Sequence, residues 1–173
     1  MKNKFTIIFF IFFIFLSEKL FAENIFITAK NITIDKNDNT SIFENQVVVK
    51  TQNKVIQSDY AKYDKLNGYL LLKENITLVD EKNNKLFTNF AEYYENEQIF
   101  NTKGYTKVET EELYTLQGED IFLNNKKKLI KSEKNSTLVD QEGNKIFIEN
   151  FEYLVNDSLF KSLGFIEIQD TKN

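Results

Sequence analysis

Glu74–Phe87 reads ENITLVDEKNNKLF, and sixty residues later Lys134–Phe147 reads KNSTLVDQEGNKIF. The match runs without a gap over residues 74–109 against 134–169, with 13 of 36 positions identical. A shorter beat lies inside it. The pairs Ile32/Ile34, Ala61/Tyr63, Ala91/Tyr93, Ile121/Leu123 and Phe151/Tyr153 recur every 29 or 30 residues. Val47/Val49, Ile76/Leu78, Thr106/Val108, Ser136/Leu138 and Ile166/Ile168 keep the same spacing, as do Ile27, Ile56, Leu86, Leu116 and Ile146. A fixed period of this length means stacked units, none of which buries its apolar face alone. The chain is read as one elongated array, not a globule around a single pocket.

Within each unit the local period is two. Val47-x-Val49, Ile76-x-Leu78, Tyr105-x-Lys107 and Ile166-x-Ile168 alternate in runs rich in Val, Ile, Thr, Tyr and Phe, which is strand chemistry with one dry face. Asn37-Asp38-Asn39, Asn67-Gly68, Asn83-Asn84, Lys103-Gly104, Asn124-Asn125, Gly143-Asn144 and Asn156-Asp157 fall between runs. Asn, Asp and Gly tolerate the left-handed backbone of tight hairpins. Short connections favour antiparallel neighbours. The expected fold is all-β: an elongated, open-ended β-jellyroll of about fifteen short antiparallel strands, built from repeats of about 30 residues.

The first residues stand apart. Lys2 and Lys4 precede Phe5–Leu16 (FTIIFFIFFIFL), and Ala22 follows as a small residue before Glu23. A basic start, a short apolar run and a small-residue exit describe a secretory signal peptide, residues 1–22, leaving 23–173 as a single domain. Retained, the run would be an anchor, but twelve residues reach only about 18 Å as a helix against a hydrocarbon core of roughly 30 Å.

After removal of that segment, 19 Lys face 25 acidic residues, a net charge of −6. No basic stripe remains to track a phosphate backbone, so nucleic acid is not an expected partner. The sequence has no Cys and no His, so stability must come from packing, and the commonest metal ligands and nucleophile–base pairs are missing. No cofactor, no metal site and no catalytic residue are expected. Every basic residue is Lys, which leaves point charges but no bidentate clamp for phosphate. Asp35, Asp64 and Asp80 sit at strand ends, as turn chemistry alone predicts, and nothing fixes a carboxylate pair for glycoside cleavage. The chain is not read as an enzyme.

Ile25–Asp35 (IFITAKNITID), Phe43–Val49 (FENQVVV) and Ser58–Asp64 (SDYAKYD) resemble the LptA/OstA-like family, the periplasmic proteins of lipopolysaccharide transport. Two departures stand out: Glu44-Asn45-Gln46-Val47 where the family often has Gly-Asn-Val, and only five glycines in all. The resemblance implies a periplasmic jellyroll of V-shaped section, covering residues 25–169, whose dry interior shields the acyl chains of lipopolysaccharide in its lipid A moiety. It also implies an LptC-like inner-membrane partner, an LptD-like outer-membrane partner and a head-to-tail homo-oligomer. The family's acyl-chain contacts on the first strand fall on Ile25 and Ile27, and those on the middle strands on Leu78 and Tyr93. Ile32 and Ile34 join them as lipid-binding candidates on the inward alternation.

The two ends of such a stack leave strands unpaired, here Ile25, Phe26 and Ile27 at one edge and Phe165, Ile166 and Ile168 at the other. For many inward residues ordinary core is the plainer role, and Tyr60, Tyr63, Tyr93, Tyr94 and Tyr153 fit sheet aromatics with wet hydroxyls. Lys126-Lys127-Lys128 fits a solvated turn or an attraction to lipid phosphates. Three functions stay open: a soluble lipid-shielding bridge, an anchored LptC-like component, and a structural array without ligand.

Overall fold

In a computed structural model of the chain, the structure describes residues 25–51, 53–111, 113–157 and 159–171. The expected signal peptide, residues 1–22, lies outside the described residues. Sixteen strands follow in order: β1 Phe26–Thr28, β2 Asn31–Asp35, β3 Thr40–Lys50, β4 Lys54–Asp64, β5 Tyr69–Asp80, β6 Lys85–Tyr94, β7 Ile99–Thr102 and β8 Tyr105–Glu109. Then come β9 Thr115–Glu119, β10 Phe122–Asn124, β11 Leu129–Ser132, β12 Ser136–Val139, β13 Lys145–Ile148, β14 Phe151–Leu154, β15 Leu159–Lys161 and β16 Ile166–Gln169. All belong to one sheet and all their pairings are antiparallel.

The pairings divide that sheet into two arms. Arm A runs β1, β3, β4, β5, β6, β8, β9, β12, β13, β16, and arm B runs β2, β3, β4, β5, β6, β7, β10, β11, β14, β15. Strands β3 to β6 belong to both and cross between them at register shifts near Glu44/Val47, Gln57/Tyr60 and Lys73/Ile76. From β7 onward the chain breaks at the same line, and each crossing separates two short strands. Bulges bend and twist a strand, so this line is a seam.

Left-handed residues mark several crossings: Asn45 and Gln46 (φ 64° and 55°), Glu74 and Asn75 (64° and 50°), Gly104 (75°), Asp120 (51°) and Gly164 (121°). Asp120 apart, they are spaced by about 30 residues from Asn45 to Gly104 and by 60 from Gly104 to Gly164. Asn and Gly adopt this region most readily. The sheet folds back along the seam, because Val49, Ala61, Leu70, Leu72 and Ala91 are fully buried, and a single layer would leave its inner face wet. One hydrophobic cluster joins Val49, Ile56 and Leu78 of arm A to Leu70, Leu72 and Tyr93 of arm B.

Small hydroxyls serve the backbone groups that the seam leaves unpaired. Ser58 Oγ donates to Tyr60 O (3.1 Å), Thr88 Oγ1 to Tyr105 O (3.1 Å), Ser132 Oγ to Glu119 O (2.7 Å) and Ser162 Oγ to Asn150 O (2.7 Å). Thr106 Oγ1 donates to Thr102 Oγ1 at 2.7 Å, tying the arms together. Gly118 is pressed against Ser136; a Cβ there would lie 2.5 Å from Ser136 Oγ.

The all-β, antiparallel, repeat-built fold matches the expectation. Twelve of the sixteen strands are short, as expected, at three to five residues, and four are longer. The strands β3 to β6 run 10 to 12 residues each, because Asn45-Gln46 and Glu74-Asn75 sit in bulges that keep the ladder going.

Candidate functional site

The inner face of arm A carries one continuous row in register: Ile27, Val49, Ile56, Leu78, Leu86, Val108, Leu116, Leu138, Ile146 and Ile168. All ten are aliphatic. Opposite partners in an antiparallel pair point to the same face, so the row runs from one open edge to the other. Arm B answers with Ile34, Ser41, Tyr63, Leu70, Tyr93, Phe100, Leu123, Ile130, Tyr153 and Phe160. Nine spacings of about 4.8 Å make each row roughly 45 Å long.

Burial along these rows is uneven. Val49, Ile56, Leu70, Leu86, Tyr93 and Phe100 are buried, so the arms pack directly on one another through the first half. From Val108 onward, Leu116, Leu138 and Ile146 on arm A and Leu123, Ile130 and Tyr153 on arm B are only half-buried. There the buried core shrinks to Ile121, Ile148 and Phe151 beside the seam, with Leu116, Leu123 and Ile130 packed on its edge and partly open to water. At both ends the rows reach water: Ile34 is 66% exposed and Ile168 70%.

The tips of the strands form the two rims. On arm B, Tyr63 Oη donates to Glu95 Oε2 at 3.0 Å. Burial, then this carboxylate, pushes the Tyr63 phenol up to about 12. On the outer face Tyr69 Oη donates to Glu92 Oε1 at 2.9 Å, and burial with that bond raises its pKa too. Asp64 and Asp140 cap tip turns, and hydrogen bonds from Asn67 and Asn144 hold their carboxyls below the usual range. The turn Lys126–Lys128 between β10 and β11 is fixed by Asn124 Oδ1, which accepts the Lys127 N–H at 2.8 Å. Lys126 Nζ donates to Asn96 O at 2.6 Å. Among the described residues no cluster of His, Cys, Asp or Glu is arranged to hold a metal ion.

The residues singled out from sequence fall in different settings. Ile25 and Ile27 are half-buried against the main cluster. Ile32 and Ile34 lie on β2, an edge strand, and are exposed. Leu78 and Tyr93 lie within the packed first half, 8% and 4% exposed, in contact with protein. Phe26, Ile166 and Ile168 are exposed on the edge strands β1 and β16, with Phe165 just before β16. The edges also include β2 and β15, where Leu159 and Phe160 are exposed.

Two inner rows escaped the sequence reading. One holds Leu70, Phe100, Ile130 and Phe160, spaced by 30, and the other Ser58, Thr88, Gly118 and Ile148, also spaced by 30. The period was the available signal; mixed polarity in the second row hides it from an apolar pattern.

No family model matches the chain, and no curated protein matches it. Among solved structures the chain is similar to LptH, the LptA-homologous periplasmic component of the conserved lipopolysaccharide transport device from Pseudomonas aeruginosa, in its crystal structure. The two are 10% identical with a TM-score of 0.35, over 86% of this chain and 96% of that one.

Proposed function

We propose that this chain is a non-enzymatic lipid shield of the LptA type, which holds the acyl chains of lipopolysaccharide between its arms as the lipid crosses the periplasm to the outer membrane. The observation that carries the reading is the unbroken aliphatic row from Ile27 to Ile168, open at both ends. Each buried methylene is worth about 0.8 kcal/mol, so one chain of about a dozen carbons costs roughly 10 kcal/mol to expose to water. A groove with a dry wall along its length removes that cost and consumes no energy of its own. The resemblance of Ile25–Asp35, Phe43–Val49 and Ser58–Asp64 to the LptA/OstA-like family supports the same reading.

The partners proposed are an LptC-like protein on the inner-membrane side, an LptD-like protein on the outer-membrane side, and further copies of this chain. Parity supports stacking. Each arm holds ten strand positions, an even number, so the first strand of a copy shifted along the axis would lie antiparallel to the last strand of the copy before it. Ile27 would then follow Ile168 and Ile34 would follow Phe160, continuing both rows. A heterologous contact of this kind does not close on itself and builds rods.

The test is extraction of the protein purified from the exporting cell. Co-purifying lipopolysaccharide, or capture of added lipid A, supports the shield. A lipid-free protein that captures no lipid A supports a structural array instead.

A further inference from the structure

We infer that the acyl seat is the second half of the groove, between β8–β9–β12–β13 and β10–β11–β14, and that the Lys126–Lys128 turn on its rim receives the phosphate of the same amphiphile. This rests on reading the groove as a lipid shield. Val108, Leu116, Leu138 and Ile146 on one wall and Leu123 and Ile130 on the other are only half-buried, whereas Val49, Ile56, Leu78, Leu86, Leu70, Tyr93 and Phe100 earlier in the same rows are buried. Val108, Leu116, Leu123 and Ile130 rest one side on the two core clusters, and Leu138 and Ile146 belong to neither. Apart from the Tyr153 phenol at the end of arm B's stretch, these rows present hydrocarbon, so what covers them is itself mostly hydrocarbon. From β8 to β13 their strand positions span about 14 Å.

The rim decides what the chain is attached to. Strands β10 and β11 carry Leu123 and Ile130, and the turn that joins them places three exposed lysines beside the opening. Asn124 and the left-handed Lys128 (φ 51°) fix that turn, and Val155 N–H donates to Lys128 O at 2.9 Å. Lys126 leans on Asn96 O, leaving Lys127 and Lys128 as the head-group contacts. The rim of arm A over the same stretch carries Glu109, Glu111, Asp140 and Glu142 against Lys107, which is paired with Glu109, and Lys145, a net negative rim. On arm B the three lysines of the turn stand beside Glu95, Glu97 and Asp157 of the neighbouring turns. A phosphate is drawn to the Lys126–Lys128 turn, where three exposed lysines are consecutive. In the first half the corresponding space is filled by Leu70, Leu78 and Tyr93, and the rim is pinned by Tyr63 and Glu95.

Lipid A bearing a photoreactive group in its acyl chain, added to the wild-type protein, tests the seat. Labelled peptides are expected between residues 105 and 154. Labelling concentrated between residues 40 and 100 overturns the placement while leaving the groove reading intact, and no specific labelling anywhere overturns both. The rim is tested with Lys127→Ala/Lys128→Ala. Charge-assisted contacts predict roughly ten-fold weaker binding of lipid A, with binding of an uncharged monoacylglycerol unchanged. Unchanged lipid A affinity, or an equal loss for both lipids, overturns the head-group assignment.

Discussion

Leu78 and Leu138 stand in the same words, Thr-Leu-Val-Asp, on the same row, four strand positions apart. Leu78 is 8% exposed and packed in the main cluster; Leu138 is half-buried beside the groove. The residue two places earlier differs: Ile76 in the first copy, Ser136 in the second. That difference extends along the seam. Large and small residues change places there: Phe43, Val47, Leu72 and Ile76 alternate with Ser58, Ala61, Thr88 and Ala91 in the first half, whereas in the second Thr102, Thr106, Ser132 and Ser136 take the large residues' positions and Ile121, Ile148 and Phe151 the small ones'. Ser and Thr reach less far from the backbone, so Leu138, two residues from Ser136, loses the neighbour that Ile76 gives Leu78, while Leu116, Leu123 and Ile130 still pack on Ile121, Ile148 and Phe151. A repeat that repeats its backbone has not repeated its core. One half is a closed scaffold, and the other keeps its wall available.

A charge separates the halves most sharply. Leu78→Glu would bury an unpaired carboxylate in the packed half, destabilising the protein by several kcal/mol. Urea denaturation followed by circular dichroism should show the fold lost or severely weakened. Leu138→Glu places its carboxylate where water reaches, and should leave the fold intact while abolishing lipid A capture. A folded, lipid-binding Leu78→Glu protein would erase the distinction. Truncation gives a smaller contrast of the same sign. Leu72→Ala removes a fully buried side chain, for about 2–5 kcal/mol, whereas Leu138→Ala should cost about 1 kcal/mol because part of that surface is already wet. Equal losses would mean equal packing.

The first half was less legible than the second in one respect. Glu44-Asn45-Gln46-Val47 and Lys73-Glu74-Asn75-Ile76 carry turn residues, and only their register with neighbouring strands makes them bulges inside long strands. The inward pairs from Ala61/Tyr63 to Phe151/Tyr153 were readable because both members recur at a fixed beat. Ile32 and Ile34 keep that beat too, but they stand on an edge strand with one neighbour, and so are wet. The choice between packed wall and open wall was hidden, since it depends on which side chains lie across the seam. Ile76 against Ser136 was its sequence trace.

Deleting residues 163–173 takes away the exposed strand β16 and little core. Its effect on stability should be small. If rods grow through this edge, light scattering at rising concentration should report a monomer for the truncated chain; continued growth would place the contact elsewhere. Tyr63 is expected to give the smallest effect. Its raised pKa means the neutral phenol is the stabilising form, so its contribution is intact below about pH 10 and is lost as pH rises toward about 12. Tyr63→Phe should flatten the fall of stability over that window, lowering it by less than about 1 kcal/mol at neutral pH; an unchanged slope in alkaline denaturation would assign the fall to other groups.

Amide hydrogen exchange on the unliganded protein reads the contrast between the halves directly. Amides of β3 to β6 should exchange only through global unfolding, and those of β8 to β14 through smaller openings at measurably lower free energy. On addition of lipid A, protection should rise in β8 to β14 and stay unchanged in β3 to β6. Uniform protection across all sixteen strands, with no selective gain on lipid A, would contradict the division into closed scaffold and open wall.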